Sequence, residues 1–194
     1  NLASCRFMDS GLHTVPDALT ARLQEAIDDC REPGYVLLGY GLCGNGLVGL
    51  KSRRHHLVVP RVDDCIPLLL GSYQAYLDNL QVHPGTYFLS RGWLESEQHP
   101  AAQLVEWSDR YGRAQAEKLL HRMYRHYQRV AFVALDESEL PRYRPQAQAV
   151  ADLLGVDYVE IIGTPHLLRR LVRYQDSGSS QDLILAPPGT TLTQ

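Results

Sequence analysis

Apolar positions along the chain switch repeatedly between a helical and a strand-like rhythm. Leu19, Leu23, Ala26 and Ile27 recur at three- and four-residue steps and predict a helix over Pro16–Cys30. Thr14 is placed to cap it, and Pro16 and Asp17 suit its first turn. The run Tyr35–Tyr40 follows Pro33-Gly34 and predicts a short buried strand, and His56–Pro60 predicts a second. Ile66–Leu80 reads as a helix with Leu69, Tyr73, Tyr76, Leu77 and Leu80 on one side, and Thr86–Leu89 as a third strand.

The polar stretch 95–110, with Trp93 and Trp107 at its margins, predicts an irregular excursion or lid. Beyond it come a charged amphipathic helix over Gly112–Tyr127 and a strand over Val130–Leu135. A helix over Pro145–Leu154, ended by Gly155, leads to a strand over Val159–Ile162. A helix over Pro165–Tyr174 and a strand over Leu183–Leu185 complete the pattern.

Strands alternating with helices predict an α/β fold: a mostly parallel sheet with helices on both faces, in a Rossmann-like three-layer arrangement. The break near 95–110 divides the pattern into two βα halves. The length of 194 residues suits a single α/β domain over 1–194. The first residue is Asn1 and not Met, so the expectation is a domain lacking an N-terminal strand.

Composition narrows the classes. Hydrophobic residues make up 44% and charged residues 21%, which excludes a chain that is mainly disordered. Nineteen basic against twenty-two acidic residues give a net charge of -3, so neither nucleic acid nor an anionic membrane is the expected partner. No apolar run reaches the ~18 to 20 residues of a membrane span. No signal peptide is recognisable, and the expected compartment is the cytoplasm. Four cysteines are too few for a disulfide scaffold but enough for a metal site or a reactive thiol.

Ligands of parallel α/β sheets bind beyond the carboxyl ends of the strands. Gly41-Leu42-Cys43-Gly44-Asn45-Gly46 follows the first predicted strand, and Arg61-Val62-Asp63-Asp64-Cys65 follows the second. Each loop offers one cysteine before an expected helix start, and His13 also precedes one. A helix N-terminus lowers a thiol's pKa and so favours the thiolate, which is both metal ligand and nucleophile. His13, Cys43 and Cys65 therefore make a candidate zinc site, or one for another transition metal, with a fourth position open to water or substrate. Gly44, Asn45, Asp64, Arg91 and His166 are candidate substrate contacts: two in the glycine loop, one beside Cys65, and two at other strand ends.

Plain alternatives accompany each residue. Asp63 and Asp64 also suit helix capping. Cys30 reads as a structural cysteine at a helix end. His55 and His56 read as a solvated corner, Thr164 explains the His166 stretch by capping, and Trp93 anchors the loop that carries Arg91. The string Gly39-Tyr40-Gly41-Leu42-Cys43-Gly44 matches G-x-G-x-x-G, but lacks the acidic partner of a dinucleotide fingerprint.

Three motifs in order, Gly39–Gly46, Arg61–Cys65 and Pro84–Phe88, together with Gly11-Leu12-His13, resemble the domain of unknown function family 1638 of bacteria and archaea. The resemblance implies that His13, Cys43 and Cys65 are signature positions. It also implies a link to corrinoid-dependent methyltransferases, through the gene neighbourhoods of some members. It names no reaction.

Three classes of function follow. The first is a zinc-dependent protein acting on a small-molecule substrate, with thiol- or corrinoid-linked methyl transfer as its chemistry and hydrolysis as the competitor. The second is a metal-free enzyme with Cys43 as nucleophile and His13 or His166 as base. The third is a non-catalytic partner of a corrinoid or methyltransferase protein. That role would use Tyr111, Tyr124 and Tyr127 beside Arg113, Arg122 and Arg125, and a homo-oligomer is compatible with it.

Overall fold

A computed structural model describes residues 4–9, 11–12, 15–31, 33–96, 98–174 and 181–193. The described chain contains helices and two three-stranded sheets, an α/β fold. It divides into two compact units, one formed by 1–76 with 164–194 and the other by 77–163.

The first unit opens with α1 (Pro16–Asp28), which buries Leu19, Leu23 and Ile27. Each such side chain contributes about 1.5–3 kcal/mol by leaving water. Val15 holds the N-cap position without a side-chain bond, and Thr14 lies outside the described residues. Strand β1 (Gly34–Leu37) pairs in parallel with β2 (His55–Pro60), and β2 pairs antiparallel with β6 (Leu183–Ala186). The sheet order is β1-β2-β6, so β1 is an edge. Its first two residues are exposed, where a fully buried strand was expected.

Successive side chains of a strand point to opposite faces. Leu57 and Val59 join the cluster formed with α1, whereas Val58 joins Leu68, Leu167 and Leu171. Leu68 belongs to α2 (Ile66–Leu70), and Leu167 and Leu171 to α8 (His166–Val172). Helices therefore cover both faces of β2.

The helix expected over Ile66–Leu80 is two helices, α2 and α3 (Tyr73–Val82). Gly71 breaks it in the left-handed region at φ 88°. A Cβ there would stand 2.2 Å from Thr164 Cγ2, and only glycine fits.

In the second unit β3 (Thr86–Ser90), β4 (Arg129–Ala134) and β5 (Asp157–Ile162) form a parallel sheet in that order. Helices α4 (Arg91–Glu95), α5 (Pro100–Tyr111), α6 (Arg113–Tyr124) and α7 (Leu140–Leu154) accompany it. Val130, Phe132 and Ala134 pack with Tyr143, Ala147 and Val150 of α7. The stretch 95–110 is not an irregular excursion: most of it is α5, which Pro100 opens in its first turn. α5 buries only Pro100 and Leu104, too few residues for its rhythm to stand out. Among the described residues no helix is long and apolar enough to cross a membrane.

Candidate functional site

The site grows out of the β1–β2 pair. Leu38 N–H donates to Val58 O at 2.9 Å, just past the end of β1. Pairing resumes further along, where Leu42 N–H donates to Val62 O and Cys43 N–H to Asp63 O, both at 3.0 Å. The two cysteine-bearing loops are thus joined backbone to backbone at the carboxyl ends of two parallel strands. Gly41 makes this approach possible. A Cβ at residue 41 would lie 2.4 Å from Asp64 O and 2.5 Å from its carbonyl carbon.

The chain then turns tightly. Cys43, Gly44 and Asn45 have φ values of 46°, 65° and 73°, three successive left-handed residues. Two of them are not glycine, and non-glycine residues in this region are uncommon and concentrate at functional sites. The turn is fixed against α1: Thr20 Oγ1 donates to Gly46 O at 2.8 Å, and a Cβ on Gly46 would meet Leu19 Cδ2 at 2.8 Å. Residues 43–49 are turns and not a helix, so Cys43 has no helix N-terminus behind it. That corrects the expectation from sequence.

Cys65 does stand at the N-cap of α2, but that helix has only five residues. Asp64 Oδ1 accepts the Ile66 N–H at 2.7 Å, the capping role its sequence position suggests. Tyr76 Oη donates to Asp64 Oδ2 at 3.5 Å, and Tyr73 Oη to Asp63 Oδ2 at 2.7 Å.

Electrostatics also reverse the expectation of activated thiols. Burial raises the Cys43 pKa, and the Asp64 carboxylate raises it further. Cys65 is exposed as a residue, yet desolvation of its thiol, then Asp64, then Cys43, push its pKa up to about 12. Asp64 is itself raised, first by burial. Desolvation and neighbouring negative charge thus outweigh the short dipole of α2. Burial thus raises Cys43, Asp64 and Cys65 alike, and the Asp64 carboxylate raises both thiols further.

Three residues not singled out from sequence stand near these loops. Tyr40 packs on the α1 cluster alongside Cys43, Met8 and Leu12. Burial raises its hydroxyl pKa, and so does proximity to Cys43 and then to Cys5. Cys5 is exposed and lies within electrostatic reach of the same hydroxyl. Tyr76, which reads from sequence as a helix-face residue, is pushed up to about 12 by burial and by Asp64.

The other candidates lie elsewhere. His13 is outside the described residues. His166 is exposed at the start of α8 and makes no hydrogen bond to either cysteine loop. Thr164 does not cap α8; Pro165 holds that position, and Thr164 N–H donates to Leu69 O at 2.9 Å. Arg91, in the second unit, opens α4, and its Nε reaches Glu95 Oε1 at 3.2 Å. Trp93 is anchored as expected, its Nε1 donating to Tyr87 Oη at 2.8 Å. His55 is not a solvated corner: it is buried, with Nε2 2.9 Å from Cys30 O. Among the described residues no three His, Cys, Asp or Glu side chains are grouped closely enough to hold a metal ion.

The fold and this pair of loops define an α/β protein whose candidate site stands at the carboxyl ends of parallel strands. The chain belongs to the family described as protein of unknown function DUF1638, which matches residues 7–172. No curated protein and no solved structure matches it.

Proposed function

We propose that the chain binds a transition metal, zinc first among them, through Cys43 and Cys65, with His13 completing a Cys2His set. The observation that carries this reading is the backbone junction of the two cysteine loops beside Asp64. Two thiols and a carboxylate on adjoining loops all gain from a cation, because it replaces the thiol protons and offsets the carboxylate charge. The described cysteines and Asp64 supply only part of a ligand set, and His13 is the residue the reading adds.

The raised thiols favour this reading over a metal-free cysteine nucleophile, which needs a depressed pKa. When bound, zinc held by thiolates would be a weak Lewis acid and would suit activation of a thiol for alkyl transfer. The proposed activity is therefore thiol- or corrinoid-linked methyl transfer. Gly44 and Asn45, in their left-handed turn, and Asp64 would face the small-molecule substrate. Arg91 and His166 stay secondary candidates.

Metal analysis of protein purified anaerobically without added metal tests the reading. About one equivalent per chain is expected, lost in Cys43→Ser and Cys65→Ser and kept in Cys30→Ser. Metal well below one equivalent under anaerobic handling contradicts it.

A further inference from the structure

A second feature of the first unit has no part in the cysteine site. Arg6, Asp28, Asp29, Arg31 and Arg54 line an open cleft of about 590 Å³. The three arginines come from three separate stretches: the segment before α1, the α1–β1 turn, and the turn before β2. The cleft lies at the amino end of β1 and β2, and the cysteine loops lie at their carboxyl end.

The backbone beneath its exposed side chains is tied down at two points. Gln24 Nε2 donates to Lys51 O at 2.9 Å while Lys51 N–H donates to Gln24 Oε1 at 3.1 Å. The buried His55 ring holds Cys30 O at 2.9 Å, tying the end of α1 to the start of β2. The acids are already occupied: Asp29 pairs with Arg6 at 3.2 Å, and Asp28 accepts from Gln24 Nε2 at 3.0 Å. Asp28 and Asp29 sit at the C-terminal end of α1, where a carboxylate opposes the helix dipole, so they do not serve that helix. Arg31 and Arg54, by contrast, make no side-chain hydrogen bond or ion pair among the described residues.

We propose that this cleft binds a compact phosphate dianion, as inorganic phosphate or as a small phosphate monoester. Arg31 and Arg54 supply the guanidinium forks, and Asp29 holds Arg6 beside them. Guanidinium forks match the paired oxygens of a phosphoryl group, which a lysine ammonium does not. Three arginines against two aspartates leave a net positive wall in a chain whose overall charge is -3. The aspartates limit the attraction of extended polyanions and favour a small ligand.

Calorimetric titration of the full chain with inorganic phosphate and with phenyl phosphate, balanced by chloride at fixed ionic strength, tests this. Saturable binding is expected. Arg31→Ala/Arg54→Ala should weaken it at least about tenfold, with unchanged far-ultraviolet circular dichroism and unchanged metal content. Arg54→Lys, which keeps the charge and loses the fork, should also weaken it. Tighter binding of phenyl phosphate assigns the cleft to an ester, and equal or tighter binding of inorganic phosphate assigns it to the free ion. Absence of saturable binding to either probe, or wild-type affinity in both variants, overturns the proposal.

Discussion

The backbone N–H of Cys43 donates to the carbonyl of Asp63 across 3.0 Å, and this bond joins the two cysteine-bearing loops. It places one cysteine beside the acidic pair that precedes the other. Since the bond is main chain to main chain, it depends on how closely the backbones approach rather than on either side chain.

That closeness rests on Gly41. Gly41→Ala would set a Cβ 2.4 Å from Asp64 O, a clash that must move backbone. The expected cost is about 1–3 kcal/mol in chemical denaturation. Gly34→Ala, with nothing within 4 Å, is the matched control and should shift stability far less.

Asp64 is the charge shared by both thiols. Asp64→Asn keeps an acceptor for Ile66 N–H and removes the negative charge. In metal-free protein, alkylation of Cys43 by iodoacetamide at fixed pH should accelerate a few-fold, because its thiol ionises more readily. An unchanged rate would remove Asp64 as a cause of the raised Cys43 value.

The pH dependence follows from the same shifts. The Cys65 pKa rises from an ordinary 9.0 to about 12 on folding, so between those values the native state holds a proton that the unfolded state has lost. The associated stability is fully present below the ordinary thiol value and is lost as pH rises toward about 12. Denaturation of metal-free protein at pH 8, 9 and 10 should show stability falling through this range. The fall should be shallower in Cys65→Ser.

His55 carries a structural load in the same unit. Its buried ring bonds Cys30 O, and removal would leave that carbonyl without its partner. His55→Ala should cost about 1–3 kcal/mol by thermal or chemical denaturation. Metal content per folded chain should stay unchanged.

Much of the fold was legible in the residues, because strand and helix rhythms report burial on one or both faces. Leu19, Leu23 and Ile27 mark α1, and Val130–Ala134 mark β4, within a residue or two of their observed limits. Less visible were features set by contacts distant in sequence. Thr164 packs where a Cβ of residue 71 would stand, beside the break, and α5 is hidden because few of its side chains are buried. The positions of Cys43 and Cys65 at strand ends were legible, but their acidity was not. It depends on desolvation and on Asp64, which no spacing reveals. Tyr40 and Cys5 entered the site only through spatial proximity, across 35 residues of chain.

X-ray absorption at the metal edge, on protein purified anaerobically, tests the central claim most directly. Two sulfur neighbours are expected at ~2.3 Å with nitrogen or oxygen at ~2.0–2.1 Å, and no metal edge in Cys43→Ser or Cys65→Ser. A metal with only nitrogen and oxygen neighbours, or sulfur neighbours unchanged in both variants, would contradict it.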